Sequence, residues 1–472
     1  MLGISGFNEM SAAQLFHKRR NKGAARLFDT LVANHSGSFS FAVGDAGRQV
    51  AHRLFAAKNV TPASMISGHI VAALDRARMA CKSDEPLLIM QDTTDFEYTT
   101  HKKTTGLGSV GKGFSIGTGL QSHGALAVSP NGLPLGILDL EIWARDFPDK
   151  NLSKEDKHKI NRSKSVDRKE SKKWLECVKR VQACTPQDMK LLFIQDREAD
   201  MFELFEAPRR PGVDLLVRAA QPRVVEIVSE DRERAGVSNV FLAVRSAPAL
   251  GKITVQVSAK GNQKARSAEL DVRACRVFLK APKDRLASQD HTPQEAWLIS
   301  AREANPPEGK TCVDWTLIST LPASNFEEAC RLLNFYTLRW LIERLHFVLK
   351  SGLHAEELRF DDAASLKNAL ALLYIVAWRL LHLTYLARIS PEEPAIASLE
   401  AQELEVLSLI EGKTVETISS AVVAIAKLGG YKVTPKAGPP GVKTLWLGLR
   451  KLDSMITGYN LALAYLRKEV NH

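Results

Sequence analysis

Two short apolar segments of the chain each end in a Gln-Asp pair. Asp92 follows LLIMQ and Asp196 follows LLFIQ, so each carboxylate stands directly after a run that favours a β-strand. In an open α/β sheet, ligands bind outside the carboxyl ends of the strands. Each aspartate has an alternative role as the cap of a turn or of the next helix, and for either residue alone the cap is favoured.

A third carboxylate, Glu343, lies in the amphipathic stretch YTLRWLIERLHFVLK over residues 336–350. At about 100° per residue, a helix over this stretch predicts that its polar side chains share one arc, opposite the leucines. The arc contains Tyr336, Arg339, Glu343, His346 and Lys350. The alternative is a solvated face with an ion pair between Arg339 and Glu343 at i, i+4. For His346, an orienting hydrogen bond or packing is favoured over metal binding.

The three carboxylates together point to metal-assisted phosphoryl transfer. Mg²⁺ prefers oxygen ligands, and two ions roughly 3.5 to 4 Å apart activate the attacking oxygen and stabilise the leaving oxygen. Cations bracket Glu343 in the arc, as expected for a phosphate bound close to a metal. Asp95, Glu198 and Asp200 are neighbouring acidic residues that we do not expect to be ligands.

The elements that position these residues follow from the pattern along the chain. Residues 1–82 are predicted to form a helical head with a break near Asn59–Pro62. Its basic cluster, at Lys18, Arg19, Arg20, Lys22 and Arg26, indicates either a DNA-binding head or a solvated helix face. Residues 83–220 alternate strands and helices, which predicts an α/β sheet that is at least partly parallel. Residues 221–322 predict an inserted, mainly antiparallel β domain. Residues 323–375 carry the Glu343 helix, and residues 376–472 predict a helical domain that self-associates.

Composition limits the possible partners and compartment. The 472 residues include 64 Lys and Arg against 53 Asp and Glu, a net charge of +11 that favours a polyanionic partner. The six cysteines form no C-x-x-C pair and predict free thiols in a reducing compartment. The sequence contains no uninterrupted run of about 18 apolar residues, so no membrane span is predicted. We therefore expect a cytoplasmic protein, associated with the nucleoid when it is bound to DNA.

At this point the motifs resemble a known family. QDTT at 91–94, QDREAD at 195–200, and Y-x-x-R-x-x-x-E-x-x-x-x-x-x-K at 336–350 are similar to the signature of cut-and-paste DDE transposases of bacterial insertion sequences. Further similar segments extend the likeness over most of the chain. They are RLFAAKNVTP, KESKKW, VRAAQPR, NPPEGK and AIAKLGG.

The resemblance implies a fold, a cofactor and a set of site residues. The implied fold has a ribonuclease-H-like core interrupted by the β domain before the glutamate helix. Asp92, Asp196 and Glu343 are expected to bind two Mg²⁺ ions, which Mn²⁺ can replace. Phosphate or DNA contacts are expected from Tyr336, Arg339, Lys350, Arg218 and Trp315, the last by stacking a flipped base. A core position in a strand is an equally weighted role for Trp315.

The implied reaction is transposition of an insertion sequence. It comprises nicking at the transposon ends, hairpin formation and opening, and strand transfer into target DNA. The partners are double-stranded DNA, from the ends and from the target, and a second copy of the chain. The sequence departs from the family at Phe347, where relatives often have a basic residue, and in its short head.

Other functions are compatible with parts of the sequence. GLGSVGKG at 106–113 contains G-x-G-x-x-G, but it lacks the final Ser or Thr and the following helix of a phosphate-binding loop, so no nucleotide cofactor is expected. A DNA-binding protein or a nuclease derived from a transposase is the alternative. Three carboxylates near DNA argue against a mere binding protein, because they repel phosphate unless metals occupy them.

Overall fold

The computed structural model describes residues 4–33, 39–111, 116–148, 170–228, 234–257, 265–282, 291–434 and 437–469. The chain divides into two compact units, and neither is continuous in sequence. The helical unit comprises Met1–Lys82, Thr93–Asn151 and Leu341–His472. The sheet unit comprises Ser83–Asp92 and Leu152–Trp340. Most of the charged stretch 149–173, predicted to be a loop, lies outside the described residues.

The N-terminal part of the helical unit is all helix, as predicted. It contains α1 (Gly6–Met10), α2 (Lys18–Ala33), α3 (Phe39–Phe55) and α4 (Pro62–Ala80). The predicted break precedes α4, where Thr61 and Ser64 form a capping box and Pro62 takes the first helical position. Proline is favoured there because the first amides of a helix have no intrahelical acceptor.

Three strands and part of a fourth complete this segment of the helical unit. They are the C-terminal part of β1 (Leu87–Glu97), β2 (Gly108–Val110), β3 (Gly117–Val128) and β4 (Pro134–Trp143). β3 pairs antiparallel with β2 and with β4. The turn between β3 and β4 contains Gly132 at φ 93°, a conformation that glycine adopts at no steric cost. The predicted tight turn at Pro130–Gly132 is confirmed.

The C-terminal part of the helical unit is also helical, as predicted. It contains α10 (Ala363–Ile389), α11 (Ala401–Glu411), α12 (Ile418–Leu428) and α13 (Val442–Glu469), and α9 (Trp340–Phe347) precedes them. α10 is long and apolar enough to cross a membrane, but its most apolar window is 94% buried inside the protein. That burial is typical of a core helix.

The sheet unit begins with parallel pairing. β5 (Leu191–Gln195) lies between the first part of β1 and β6 (Val213–Arg218) and is parallel to both. Residues 87–90, 191–194 and 215–217 are all fully buried, as expected for parallel strands covered on both faces. Two helices alternate with these strands along the chain, α5 (Lys172–Cys184) and α6 (Phe202–Glu206). The predicted partly parallel sheet is confirmed.

The rest of the sheet unit is antiparallel. Its strands are β7 (Val224–Val228), β8 (Arg234–Asn239), β9 (Ala249–Val257), β10 (Arg266–Leu279), β11 (Gln294–Glu303) and β12 (Asp314–Ser319). β12 pairs with both β6 and β11, so these strands extend the parallel ones in one large mixed sheet. The segment also contains a helix that the strand pattern did not predict, α7 (Val240–Ser246), which Asn239 caps.

The expected single helix over residues 336–350 is wrong. α8 (Phe326–Thr337) ends at Thr337, and α9 begins at Trp340. The Thr337 hydroxyl donates to the Asn334 carbonyl at 2.6 Å, which is the acceptor that the Leu338 amide needs for a further α-helical turn. The Leu338 and Arg339 amides instead bond three residues back, to Phe335 and Tyr336. After Phe347, the segment Val348–Gly352 forms a π-turn.

Candidate functional site

Asp92 and Asp196 follow the paired segments of two neighbouring parallel strands in the sheet unit. β1 and β5 are in parallel register, with Met90 opposite Ile194. The side-chain amide nitrogen of Gln195 donates to the side-chain oxygen of Gln91 at 2.7 Å. Continuing this register by two residues sets Asp92 opposite Asp196, with backbones roughly 4.8 Å apart. The sequence prediction that both carboxylates meet at one edge of the parallel strands is consistent with this register.

Asp92 does not end its strand, contrary to the prediction. β1 continues to Glu97, so Asp95 and Glu97 also lie within it. Asp92 instead lies two residues after Met90, the last residue of β1 that is paired with β5. β1 continues beyond Asp92 because it has another neighbouring strand there. The apolar run LLIMQ alone did not indicate that strand.

Asp196 is partly buried and surrounded by charge. Its side chain caps the turn Arg197–Ala199 by accepting from the Glu198 amide at 2.8 Å, so the capping role is confirmed. Burial raises the pKa of the Asp196 carboxyl, and the positive charges of Arg339 and Lys173 partly oppose that rise. Because burial disfavours the charged carboxylate, a positive charge bound close to Asp196 would stabilise its ionised form.

An arginine-tyrosine cluster lies beside this aspartate. The Tyr336 hydroxyl is hydrogen-bonded to Arg218 and Arg339, and burial raises its pKa while both arginines lower it. Arg218 also donates to the Asp314 carbonyl at 3.3 Å. Trp315 is partly buried, and its ring packs edge-to-face on Tyr336 with centroids 6.0 Å apart. Four of the predicted DNA contacts therefore form one network in the sheet unit.

The neighbouring acidic residues Asp95, Asp200 and Glu198 each have a partner within the protein. Asp95 accepts from the Gly111 amide at 3.0 Å and from Gln121 at 2.7 Å. Asp200 accepts from the amides of Ala220 and Gln221 and from Arg223. Glu198 lies 3.6 Å from the Lys173 ammonium.

The remaining predicted site residues belong to the helical unit. Glu343 is exposed on α9, whereas His346 is buried, with its ring packed edge-to-face on Tyr374 at 6.2 Å. Burial and the Lys350 charge lower the pKa of His346 to about 3. A packing role for His346 follows. Of the residues in the predicted polar arc, Tyr336 and His346 are buried and Glu343 is exposed.

Lys350 is held within the helical unit by a carboxylate and a ring. Its ammonium lies 3.7 Å from Glu356 and 5.6 Å from the centre of the Phe96 ring. The Glu97 amide donates to the same Glu356 carboxylate at 3.0 Å. The π-turn therefore attaches Lys350 to the end of β1, and sequence spacing alone gave no signal for Glu356.

The donor atoms of Asp92 and Asp196 fit a hard divalent cation. Both residues offer carboxylate oxygens from adjacent strands, the ligand type that Mg²⁺ prefers. Within the described ranges, however, no group of three or more His, Cys, Asp or Glu side chains is close enough to hold a metal. The assignment of all three carboxylates to metal ions therefore stays a prediction.

Two further residues belong to this site although the sequence analysis did not assign them a role. Gln91 and Gln195 are fully buried and fix the register that sets the two aspartates opposite each other. The signal was present, because both apolar runs are followed by the same Gln-Asp pair. The described part of the glycine-rich stretch 106–113 forms β2, while Lys112 and Gly113 lie outside the described residues.

Comparison with known families gives one match. Residues 375–469, which include most of α10 and all of α11, α12 and α13, match the family model described as the Transposase Tn5 dimerisation domain. The match covers the segment predicted to self-associate, and it supports a homodimer. The similarity of this C-terminal segment supports a transposase of the Tn5 type.

Proposed function

We propose that the protein is a cut-and-paste DDE transposase of an insertion sequence, with a ribonuclease-H-like core. It nicks DNA at the transposon ends, forms and opens a hairpin there, and transfers the freed end into target DNA. The observation that carries the proposal is the cluster of Arg218, Trp315, Tyr336 and Arg339 beside Asp196. The C-terminal match to a transposase dimerisation domain supports the same conclusion.

The chemical roles follow from the groups in the cluster. Arg218 and Arg339 offer guanidinium groups that bind phosphate with paired N–H donors. The Tyr336 hydroxyl holds both arginines, so it positions them for one phosphodiester. The partly exposed ring of Trp315 is available to stack an unpaired base.

The proposal assigns Asp92, Asp196 and Glu343 to two divalent cations, Mg²⁺ or Mn²⁺. Such ions supply a strongly nucleophilic water or 3′-hydroxyl and stabilise the leaving oxygen of an in-line displacement. Lys350 is assigned to the phosphates of the transposon end, and the head (residues 1–82) to recognition of that end. The ligands of the protein are then double-stranded DNA and a second copy of the chain, in the bacterial cytoplasm.

A nuclease or DNA-binding protein that no longer transposes is the alternative function. Such a protein would have the same arginine-tyrosine cluster and the same C-terminal match. Only the DNA products therefore distinguish it from a transposase. A nuclease releases nicked or cut DNA without hairpins or strand transfer.

The test uses purified protein, Mg²⁺ and DNA bearing the candidate ends that flank the coding sequence. Wild type is expected to give nicked and hairpin products on denaturing gels. Glu343→Gln should still bind the DNA but lose cleavage by at least about a thousandfold, roughly 4 kcal/mol of barrier. Glu327→Gln, on an exposed glutamate of α8, is the matched control and should cleave normally. Cleavage that survives Glu343→Gln or Asp92→Asn contradicts the site assignment.

A further inference from the structure

A pair of buried aromatic rings in the helical unit contacts both α9 and the segment that follows it. Tyr374 on α10 and Phe96 on β1 are fully buried, and their rings pack edge-to-face with centroids 6.3 Å apart. The His346 ring of α9 packs edge-to-face on Tyr374 at 6.2 Å. The Lys350 ammonium, in the π-turn, lies 5.6 Å from the centre of the Phe96 ring. The pair therefore supports α9 and the π-turn together.

A hydrogen bond between two buried hydroxyls joins this pair to β3. The Tyr374 and Ser122 side-chain oxygens are 2.6 Å apart, and both residues are fully buried. A hydrogen bond has a narrow range of distance and angle, whereas packing of rings tolerates small shifts. Water does not reach the two hydroxyls to replace a lost partner, so each depends on the other. The bond therefore sets the position of the Tyr374 ring relative to β3.

The two proposed site residues of the helical unit lie at or next to the contacts with this pair. Glu343 precedes His346 by three residues on α9, so it lies about one helical turn before the residue that packs on Tyr374. Lys350 itself lies over the Phe96 ring. A shift of the Tyr374 ring would therefore displace both the proposed metal ligand and the proposed phosphate-binding lysine.

We propose that Tyr374 is a positioning residue for DNA cleavage, and that its hydrogen bond to Ser122 sets the places of Glu343 and Lys350. Tyr374 acts through α9 and the π-turn and makes no contact with DNA or metal itself. The inference rests on the proposed function, because that function assigns Glu343 to the metal ions and Lys350 to phosphate. It adds two buried residues, on α10 and β3, to which the sequence motifs gave no role.

Tyr374→Phe, Ser122→Ala and the double variant separate positioning from stability. Each single variant leaves one buried hydroxyl without this partner and should lower the melting temperature. The double variant removes both hydroxyls, so its melting temperature should recover toward wild type. The hydrogen bond is absent from all three variants, so single-turnover cleavage in Mg²⁺ should be about tenfold slower in each of them. Cleavage that recovers together with stability in the double variant overturns the inference.

Hydrogen exchange of the protein without metal or DNA gives a second readout. The backbone amides of residues 340–352 should exchange about three- to tenfold faster than in wild type in all three variants, including the double variant.

Thr384→Val is the matched control. The buried Thr384 hydroxyl donates to the Leu380 carbonyl within α10 at 2.8 Å, so its loss should lower the melting temperature but leave cleavage and the exchange of residues 340–352 unchanged. Unchanged exchange in Tyr374→Phe, or equal acceleration in Thr384→Val, overturns the inference. Exchange needs neither metal nor DNA, so a wild type that cuts no candidate end contradicts the proposed function alone.

Discussion

Tyr336 is the residue on which the predicted DNA contacts of the sheet unit depend. Its hydroxyl bonds two arginines that would otherwise repel each other, and Trp315 packs on its ring. The sequence motif predicted that Tyr336 and Arg339 act together, because they are three residues apart. It could not show that Arg218 joins them, since that contact depends on the pairing of β6 with β12.

Tyr336→Phe should release both arginines while keeping the packing of the ring. We expect roughly tenfold slower cleavage, about 1.4 kcal/mol of barrier, because the arginines lose their fixed orientation toward phosphate. The free energy of unfolding should fall by about 1 kcal/mol, the usual contribution of one hydrogen bond. Single-turnover cleavage and urea unfolding measure the two effects.

Tyr385→Phe is the matched control for this variant. Tyr385 in α10 is likewise hydrogen-bonded to an arginine, Arg388, but it belongs to the helical unit and is not part of the network. Removal of the Tyr385 hydroxyl should lower the free energy of unfolding but leave the cleavage rate unchanged. Equal loss of cleavage in both variants would show that Tyr336 acts only through stability.

At the scale of elements, the strands that carry the aspartates were predictable and the glutamate helix was not. The runs LLIMQ and LLFIQ are continuous apolar segments, and such segments form buried parallel strands. The break between α8 and α9 depends on one hydroxyl that competes for a backbone carbonyl, at Thr337. Hydrophobic periodicity does not register such a competition, so it predicted one helix.

Within the helical unit, α1 is held to α4 by the buried carboxylate of Glu9, which is bonded to His69 and Arg76. Glu9 accepts from His69 at 2.5 Å and from Arg76 at 2.7 Å. His69 also accepts from the Ile137 amide at 2.9 Å through its other nitrogen, so it is a neutral donor to Glu9. Burial alone would raise the pKa of Glu9, but His69 and Arg76 lower it to about 2.

This network predicts acid lability of the helical unit. The pKa of Glu9 is about 2 in the folded protein, against its ordinary value of 4.5. The stabilisation of the folded state by ionised Glu9 is therefore complete above pH 4.5 and is lost as pH falls toward 2. The pKa difference corresponds to about 3 kcal/mol. Glu9→Gln should lower the free energy of unfolding by about that amount at pH 7, and the difference from wild type should shrink below pH 4. A constant difference across pH in urea unfolding would contradict the assignment.

At the scale of the whole molecule, the predicted site residues are divided between the two units. Asp92, Asp196, Arg218, Trp315, Tyr336 and Arg339 belong to the sheet unit, and Glu343 and Lys350 to the helical unit. The sequence motifs and the family resemblance predicted the residues of both groups. The division itself was not predictable, because each unit is assembled from segments far apart along the chain.

The C-terminal helices contain a carboxylate that should make self-association depend on pH. Burial and the charge of Glu403 raise the pKa of Asp453 on α13 to about 6. The folded state therefore favours protonated Asp453. The contribution of this proton to the free energy of unfolding is complete below pH 3.8 and is lost as pH rises through 6.

Asp453→Asn removes that charge permanently. It should raise the melting temperature at pH 8 and have no such effect at pH 4, where wild-type Asp453 is largely protonated. If packing of α13 supports the dimer, the variant should also dimerise more tightly at pH 8 in sedimentation equilibrium. A melting temperature lowered at both pH values would contradict the prediction.

The discontinuous helical unit also constrains how the chain folds during its synthesis. Asn368 of α10 donates to the carbonyls of Phe55 and Val60, 313 and 308 residues earlier. At a translation rate of about 5 to 20 residues per second, roughly 15 to 60 s pass before α10 emerges to meet the head. Until then the N-terminal helices lack their core helix and expose the apolar surface that it covers. The time needed to translate the intervening residues, not the intrinsic folding rate, therefore sets when this unit becomes stable in the cell.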